Sequence, residues 1–191
     1  MEQINTQTSI KVVYNPFDLE KYSGKLKVIH SPLRIFYIGR YSANKNLLLW
    51  LDVAEKIHRE IGNTVFKIVG DGELRAIIGK KISEKDLSGI IKLTGFVPNA
   101  DKIYQDHDLL LFLSRYESFG NVAVESILSN TPVIVSDIPA MQEIFKNYPD
   151  FIVSLTDDLA GNVINKIKNY EYLKMLTEKA CVEFRNRFNK N

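Results

Sequence analysis

The chain is 191 residues long, with 25 Lys and Arg against 23 Asp and Glu, and 45% of its residues are hydrophobic. That length suits one domain with a sizeable core, and a net charge of +2 gives no basic footprint of the kind a nucleic-acid binder needs. A single cysteine, Cys181, excludes a disulfide within the chain and suits a reducing compartment, and no apolar run reaches the roughly 20 residues that span a bilayer. The expected setting is cytoplasmic, with a longer parent protein at most peripheral to a membrane.

Met1 to Ile10 is polar and aperiodic and reads as a disordered lead-in, leaving residues 11–191 as one domain. From Leu33 the chain alternates between strand and helix. Leu33 to Ile38 is an apolar strand ending at Gly39. Leu47, Leu51, Ala54, Ile57 and Ile61 then fall on one helical face, closed by Gly62. Thr64 to Val69 is a second strand, followed by a short helix through Leu74, Ile77 and Ile78. Ile90 to Leu93 is a third strand, and a short helix around Ala100 to Gln105 precedes a fourth, Leu109 to Leu113. A helix after Gly120 leads to a fifth strand, Pro132 to Val135. Helix Ala140 to Phe145, a weak strand Phe151 to Val153, and two helices within Leu159 to Phe188 complete the chain. Cys181 falls in that last helical pattern and reads as a small core residue.

Strand alternating with helix predicts an α/β fold: a doubly wound, Rossmann-like domain with a parallel sheet of about six strands. Ligands of such sheets bind outside the carboxyl ends of the strands. Candidate site residues should therefore follow strands, not precede them.

Four segments meet that condition. Gly39-Arg40 and Lys45 follow the first strand; arginine can fork two oxygens of a diphosphate, and lysine adds a point charge. Unpaired cations at a helix start would draw an anion, although two solvated cations would give the same sequence. Gly70-Asp71-Gly72 follows the second strand and serves either as a tight turn or as a pocket wall. It lacks the third glycine of a dinucleotide fingerprint, which argues against NAD. Gly95-Phe96-Val97-Pro98 follows the third strand, as a backbone contact or as an apolar plug over the core. The fourth strand exits into Glu117-Ser118-Phe119-Gly120-Asn121, with Glu125 eight residues beyond Glu117 inside the next helix. Gly120 would let a ligand approach the backbone, and the N–H groups of residues 119 to 122 would form an anion-binding helix start. Two carboxylates for hydroxyls, with an anion cradle between them, suit a sugar joined to a diphosphate.

Asp106-His107-Asp108 looks like a metal motif but precedes a strand, so it should face the opposite edge. His30 and His58 have no ligand spacing, and no metal is implied. Glu143 is expected to cap or pair within the structure, and Asn130 to tolerate a left-handed turn.

The Glu-x7-Glu spacing with Phe119-Gly120 inside it, followed by Thr131-Pro132-Val133-Ile134, resembles the family 4 glycosyltransferases of the GT-B fold. Lys11 to Asp18 is similar to the segment by which those enzymes enter their C-terminal half. There Pro16 replaces a glycine, so the local turn must differ. The resemblance implies one half of a GT-B fold, taking part in cell-surface polysaccharide biosynthesis. It implies a UDP- or GDP-sugar donor, no cofactor or metal, and transfer with retention at the anomeric carbon. It further implies that Glu125 holds the ribose hydroxyls and Glu117 the donor sugar. Arg40, Lys45 and the N–H groups of Gly120 and Asn121 would hold the diphosphate, with Phe119, Val97 and Gly72 lining the nucleotide. A GT-B enzyme has a second half that carries the acceptor, and 191 residues have room for only one, so little or no transfer is expected from this chain alone. Alternatives are a stand-alone donor-binding subunit, which an exposed apolar face around Tyr170, Tyr172 and Phe184 would favour, or an epimerase or phosphorylase on the same fold.

Overall fold

The computed structural model describes residues 14–22, 28–98 and 100–189. The lead-in expected over residues 1–10, and the start of the Lys11–Asp18 segment, lie outside the described residues. Six strands, β1 Leu33–Ile38, β2 Thr64–Val69, β3 Ile91–Thr94, β4 Leu109–Phe112, β5 Val133–Ser136 and β6 Ile152–Val153, form one sheet. Their order is β3-β2-β1-β4-β5-β6, and every pairing is parallel. This is the expected doubly wound sheet. β3 and β5 each begin one residue later than the apolar pattern suggests.

Seven helices cover it: α1 Leu47–Ile61, α2 Arg75–Glu84, α3 Ala100–Asp106, α4 Asn121–Leu128, α5 Pro139–Ile144, α6 Leu159–Lys168 and α7 Tyr170–Arg187. α6 packs on α1, and α7 on α4, so the two terminal helices thicken both layers. The central strands β4 and β5 are buried along their whole length, which is why they read as continuous apolar runs. α1 buries Leu47, Trp50, Leu51, Val53, Ala54 and Ile57. Each such aliphatic side chain contributes about 1.5–3 kcal/mol relative to exposure. The Trp50 indole N–H donates to Leu111 O at 2.9 Å, so the one tryptophan ties α1 to β4 without leaving a buried polar atom unpaired.

The amino edge of the sheet is closed by structural contacts. Asp108, fully buried, accepts from the N–H of Arg34 (2.7 Å) and of His30 (3.1 Å), and its Oδ1 lies 2.7 Å from His30 Nδ1. The Asp106-His107-Asp108 triplet therefore sits at the edge opposite the strand exits, as expected, and Asp108 spends its carboxylate on pinning the entry to β1. Nearby, a groove of about 910 Å³ runs past the starts of β2 and β3, lined by Arg34, Lys67, Ile91 and His107. α3 is short, and β2 alternates between buried and half-buried residues where the groove leaves it uncovered.

The exposed apolar face that would favour a stand-alone subunit is not formed by Tyr170, Tyr172 and Phe184 together. Tyr170 and Phe184 are buried, and of the three only Tyr172 is exposed. Leu173, Ala180 and Phe184 define the inward stripe of α7, and Tyr172 lies off it. Residues 14–22 are tied to the other end of the domain. Phe17 N–H donates to Phe188 O at 2.9 Å and Phe17 bridges Asn189, so the start and end of the described chain are joined. Cys181 is buried, as expected, and Asn130 takes φ +57°.

Candidate functional site

All four candidate loops emerge at the carboxyl edge and are knitted to one another. Tyr41 N–H donates to Asp71 O and Leu74 N–H to Tyr41 O, joining the loops after β1 and β2. Arg115 N–H donates to Asn44 O at 2.8 Å, joining the loops after β1 and β4. The sheet order puts β1 beside β4, where the chain reverses its direction of travel across the sheet. A crevice opens at that point in such folds.

Lys45 ends a short 3-10 turn, Ala43–Lys45, and its Nζ lies 2.5 Å from Glu117 Oε1. The two side chains are only 17% and 10% exposed. Lys45 Nζ also stands 5.7 Å from the Phe112 ring centroid. Arg40, by contrast, is 76% exposed at the rim, its Nε 3.5 Å from Glu73 Oε2. Each cation thus has an acid partner within the chain. The pull of unpaired cations on an anion is correspondingly smaller than the sequence suggests.

A cavity of about 300 Å³ gathers Arg40, Lys45, Glu117, Phe119, Gly120 and Asn121. α4 begins at Asn121, and Ala123 N–H already bonds back to Gly120 O. The free end of the helix therefore includes Asn121 and Val122, within the expected 119 to 122, with Gly120 as its cap. Gly120 has φ +97°, and a Cβ there would meet Met141 Cε at 2.3 Å. Its glycine is demanded by the turn, whatever ligand binds; Met141 presents only the movable end of its side chain. Phe119 sits in a ring cluster with Tyr14 (6.2 Å), Phe17 (6.4 Å) and Phe188 (5.9 Å). The joined chain ends thereby anchor the site loop.

A second cavity, about 400 Å³, adjoins the first and is lined by Asn15, Asp18, Tyr22, Asn121 and Glu125. Asn15 belongs to both cavities, and its Nδ2 donates to Asn121 Oδ1 at 2.9 Å. Glu125 is half-buried and accepts from the Tyr104 hydroxyl at 2.7 Å. Tyr22 lines the same cavity; burial, with the Glu125 charge second, pushes its phenol well above the ordinary tyrosine range. Asn15, Tyr22 and Tyr104 thus join the site without having been assigned a role from sequence. Tyr104 occupies an apolar-period position in a short helix, and nothing in that pattern marks a hydroxyl aimed at a carboxylate.

These loops match a known pattern. The sequence profile of the glycosyl transferases group 1 covers residues 18–182. The chain belongs to this family. Relatives of this group 1 chain include a poly(ribitol-phosphate) α-N-acetylglucosaminyltransferase of Staphylococcus aureus, 28% identical over 135 residues, covering 66% of this chain and 27% of the relative. Another is the capsular polysaccharide biosynthesis glycosyltransferase CapH of S. aureus, 29% identical over 163 residues, covering 82% and 45%. Among solved structures, Anabaena HepE in complex with UDP-glucose superposes with a TM-score of 0.79 at 22% identity, over 94% of this chain and 53% of that one. The fold is therefore that of one half of a GT-B glycosyltransferase. The group 1 chain spans between about a quarter and a half of these relatives' lengths.

Two assigned residues stand outside both cavities of the group 1 chain. Gly72 packs against backbone: a Cβ there would lie 2.6 Å from Tyr41 O. Val97 is half-buried against the core, while Phe96 is 80% exposed, so the two do not form a plug. Glu143, as expected, pairs within the structure: it accepts from the Tyr14 hydroxyl at 2.5 Å and lies 3.5 Å from Arg187 Nη2. Among the described residues no helix is long and apolar enough to cross a membrane.

The Lys45–Glu117 contact makes a measurable claim. In a double-mutant cycle of Lys45→Met and Glu117→Gln followed by urea unfolding, the coupling should be about 1–3 kcal/mol, because removing either partner strands a mostly buried charge. A coupling near zero would show that the two side chains do not share this contact in solution.

Proposed function

We propose that this chain is the donor-binding half of a retaining glycosyltransferase that takes a nucleotide-sugar. The observation that carries the reading is the convergence of Lys45, Glu117 and the start of α4 on one cavity at the β1/β4 reversal. Such a cavity offers a diphosphate three kinds of donor: an ammonium, a guanidinium at the rim from Arg40, and backbone N–H groups at a helix end. Glu125, in the adjoining cavity, has the acceptor chemistry to hold a vicinal ribose diol. Glu117 would accept from hydroxyls of the donor sugar. Phe119 would wall the cavity, and Val97 and Gly72 would flank the base through their backbones.

In the reaction so proposed, the bond between the anomeric carbon and the diphosphate breaks while the oxygen of an acceptor hydroxyl bonds to that carbon on the same face, its proton passing to an oxygen of the departing phosphate. The departing nucleotide keeps the electron pair. Negative charge grows on its terminal phosphate, where Lys45 and Arg40 would stabilise it. Entry of the diphosphate would exchange one partner of Lys45, Glu117, for phosphate oxygens and leave Glu117 free for the sugar. Retention and independence from a metal rest on the family resemblance. UDP is the first nucleotide to test because solved structures of the same fold hold UDP or UDP-glucose. The relatives' greater length supports an acceptor-binding half that these 191 residues do not contain. Action in cell-surface polysaccharide synthesis rests on relatives such as CapH.

Calorimetric titration with UDP, GDP and ADP should give saturable binding of one diphosphate, weakened about tenfold or more by Glu125→Ala. Equal affinity in the variant would remove Glu125 from the site. Incubated with the matching nucleotide-sugar and a carbohydrate acceptor, the chain alone should show little or no transfer. Robust turnover would contradict the need for a second half.

A further inference from the structure

Glu125 is a flexible side chain with three rotatable bonds, yet the structure holds it in one place. Tyr104 lies on α3, fully buried. Its ring stands edge-on to Phe36 with centroids 5.6 Å apart. Its backbone carbonyl accepts from the Thr131 hydroxyl at 2.9 Å. The Tyr104 hydroxyl is therefore a fixed donor, and it reaches Glu125 Oε2 at 2.7 Å. Tyr22 lines the same cavity as that carboxylate. Tyr22 is itself held, since its carbonyl accepts from Arg185 Nη2 at 2.5 Å and its ring contacts Phe17.

A carboxylate has about four lone-pair sites. The Tyr104 phenol occupies one of them and leaves room for the two that a vicinal diol needs. Neither Tyr104 nor Tyr22 can accept the carboxylate's role or supply a negative charge there: burial pushes both phenols well above the ordinary tyrosine range, so each stays neutral. Holding the glutamate before the ligand arrives removes rotamer entropy that binding would otherwise have to overcome.

Resting on the donor-site reading above, we propose that Tyr104 is a positioning residue that fixes Glu125 Oε2 so that the remaining acceptor sites of the carboxylate recognise the ribose hydroxyls of the donor nucleotide. It acts through Glu125 and touches no ligand. Its effect is therefore confined to the part of the ligand that Glu125 reads. A purely structural tyrosine would instead change affinity for all nucleotides alike, or stability alone.

The test compares UDP with 2′,3′-dideoxy-UDP by calorimetry on this chain. The variants are Tyr104→Phe, Glu125→Ala, the double variant, and Tyr172→Phe as a control. The control removes a tyrosine–carboxylate contact of the same kind, Tyr172 to Asp150 at 2.9 Å, on the exposed side of α7. Tyr104→Phe keeps the ring and its packing, and a thermal melt of each variant establishes that it folds. The expected result is a wild-type preference for UDP that Tyr104→Phe reduces about three- to tenfold. Tyr104→Phe should reduce it no further once Glu125 is alanine, and Tyr172→Phe should leave it unchanged. If folded Tyr104→Phe binds UDP with the wild-type preference for the ribose, the positioning role is overturned and the donor site stands. If the wild type binds none of UDP, GDP and ADP at millimolar concentration, the donor-site reading falls and the positioning role with it; if it binds GDP or ADP instead, the same comparison is made with that nucleotide and its 2′,3′-dideoxy form.

Discussion

The site depends on one topological constraint: β1 and β4, whose partners Phe36 and Leu110 are far apart in sequence, lie side by side in a parallel sheet. Parallel strands send all their exits to one edge. At most neighbouring strands the following helices lie on the same face and close the gap. At β1 and β4 the chain turns away in opposite directions, so the two exits stay apart and leave a crevice. Lys45 comes from one exit and Glu117 from the other. Neither side chain could stay so buried alone, because a lone charge at that depth would be strongly penalised. Their contact spans the crevice and keeps it polar.

Around that contact the loops restrain each other. Tyr41 is fully buried between the first three loops, its hydroxyl within 2.9 Å of Ile68 O and 2.7 Å of Thr94 O. Gly72 presses on the Tyr41 backbone, and Gly120 on Met141. Phe119 is gripped by rings from both ends of the described chain. The site loop is thus supported from below by the sheet and from the side by the terminal segments. Arg40, Phe96 and Tyr116 are exposed at the rim.

The sheet and its edge were legible in the sequence because burial on both faces writes strands as unbroken apolar runs. Leu109 to Phe112 shows this, and its successor helix was marked by Val124, Ile127 and Leu128. The carboxylates and cations could be placed at the correct edge for the same reason: each follows such a run. Partnerships were not legible. Whether Lys45 stands free or meets Glu117 depends on which strands adjoin, and no local pattern states that. Gly72 and Gly120 could be seen as special, but not that the Tyr41 backbone requires Gly72. Tyr104 reads as core because it is core; only its hydroxyl is spoken for, by a residue 21 positions away. The apolar residues of α7 were recognised, yet which of them faced outward turned on its packing against α4.

The central claim is that ligand enters at the carboxyl edge, in the crevice that Lys45 and Glu117 span. The alternative location is physically present: the larger groove at the amino edge, lined by Arg34, Lys67 and Lys92, also offers cations. Backbone amide chemical shifts recorded by NMR during a titration with UDP separate the two. The account predicts that the perturbed amides fall in 39–46 and 117–125, with those of 88–93 unmoved. Perturbations confined to 88–93 and the start of β2 would place the anion at the wrong edge and contradict it.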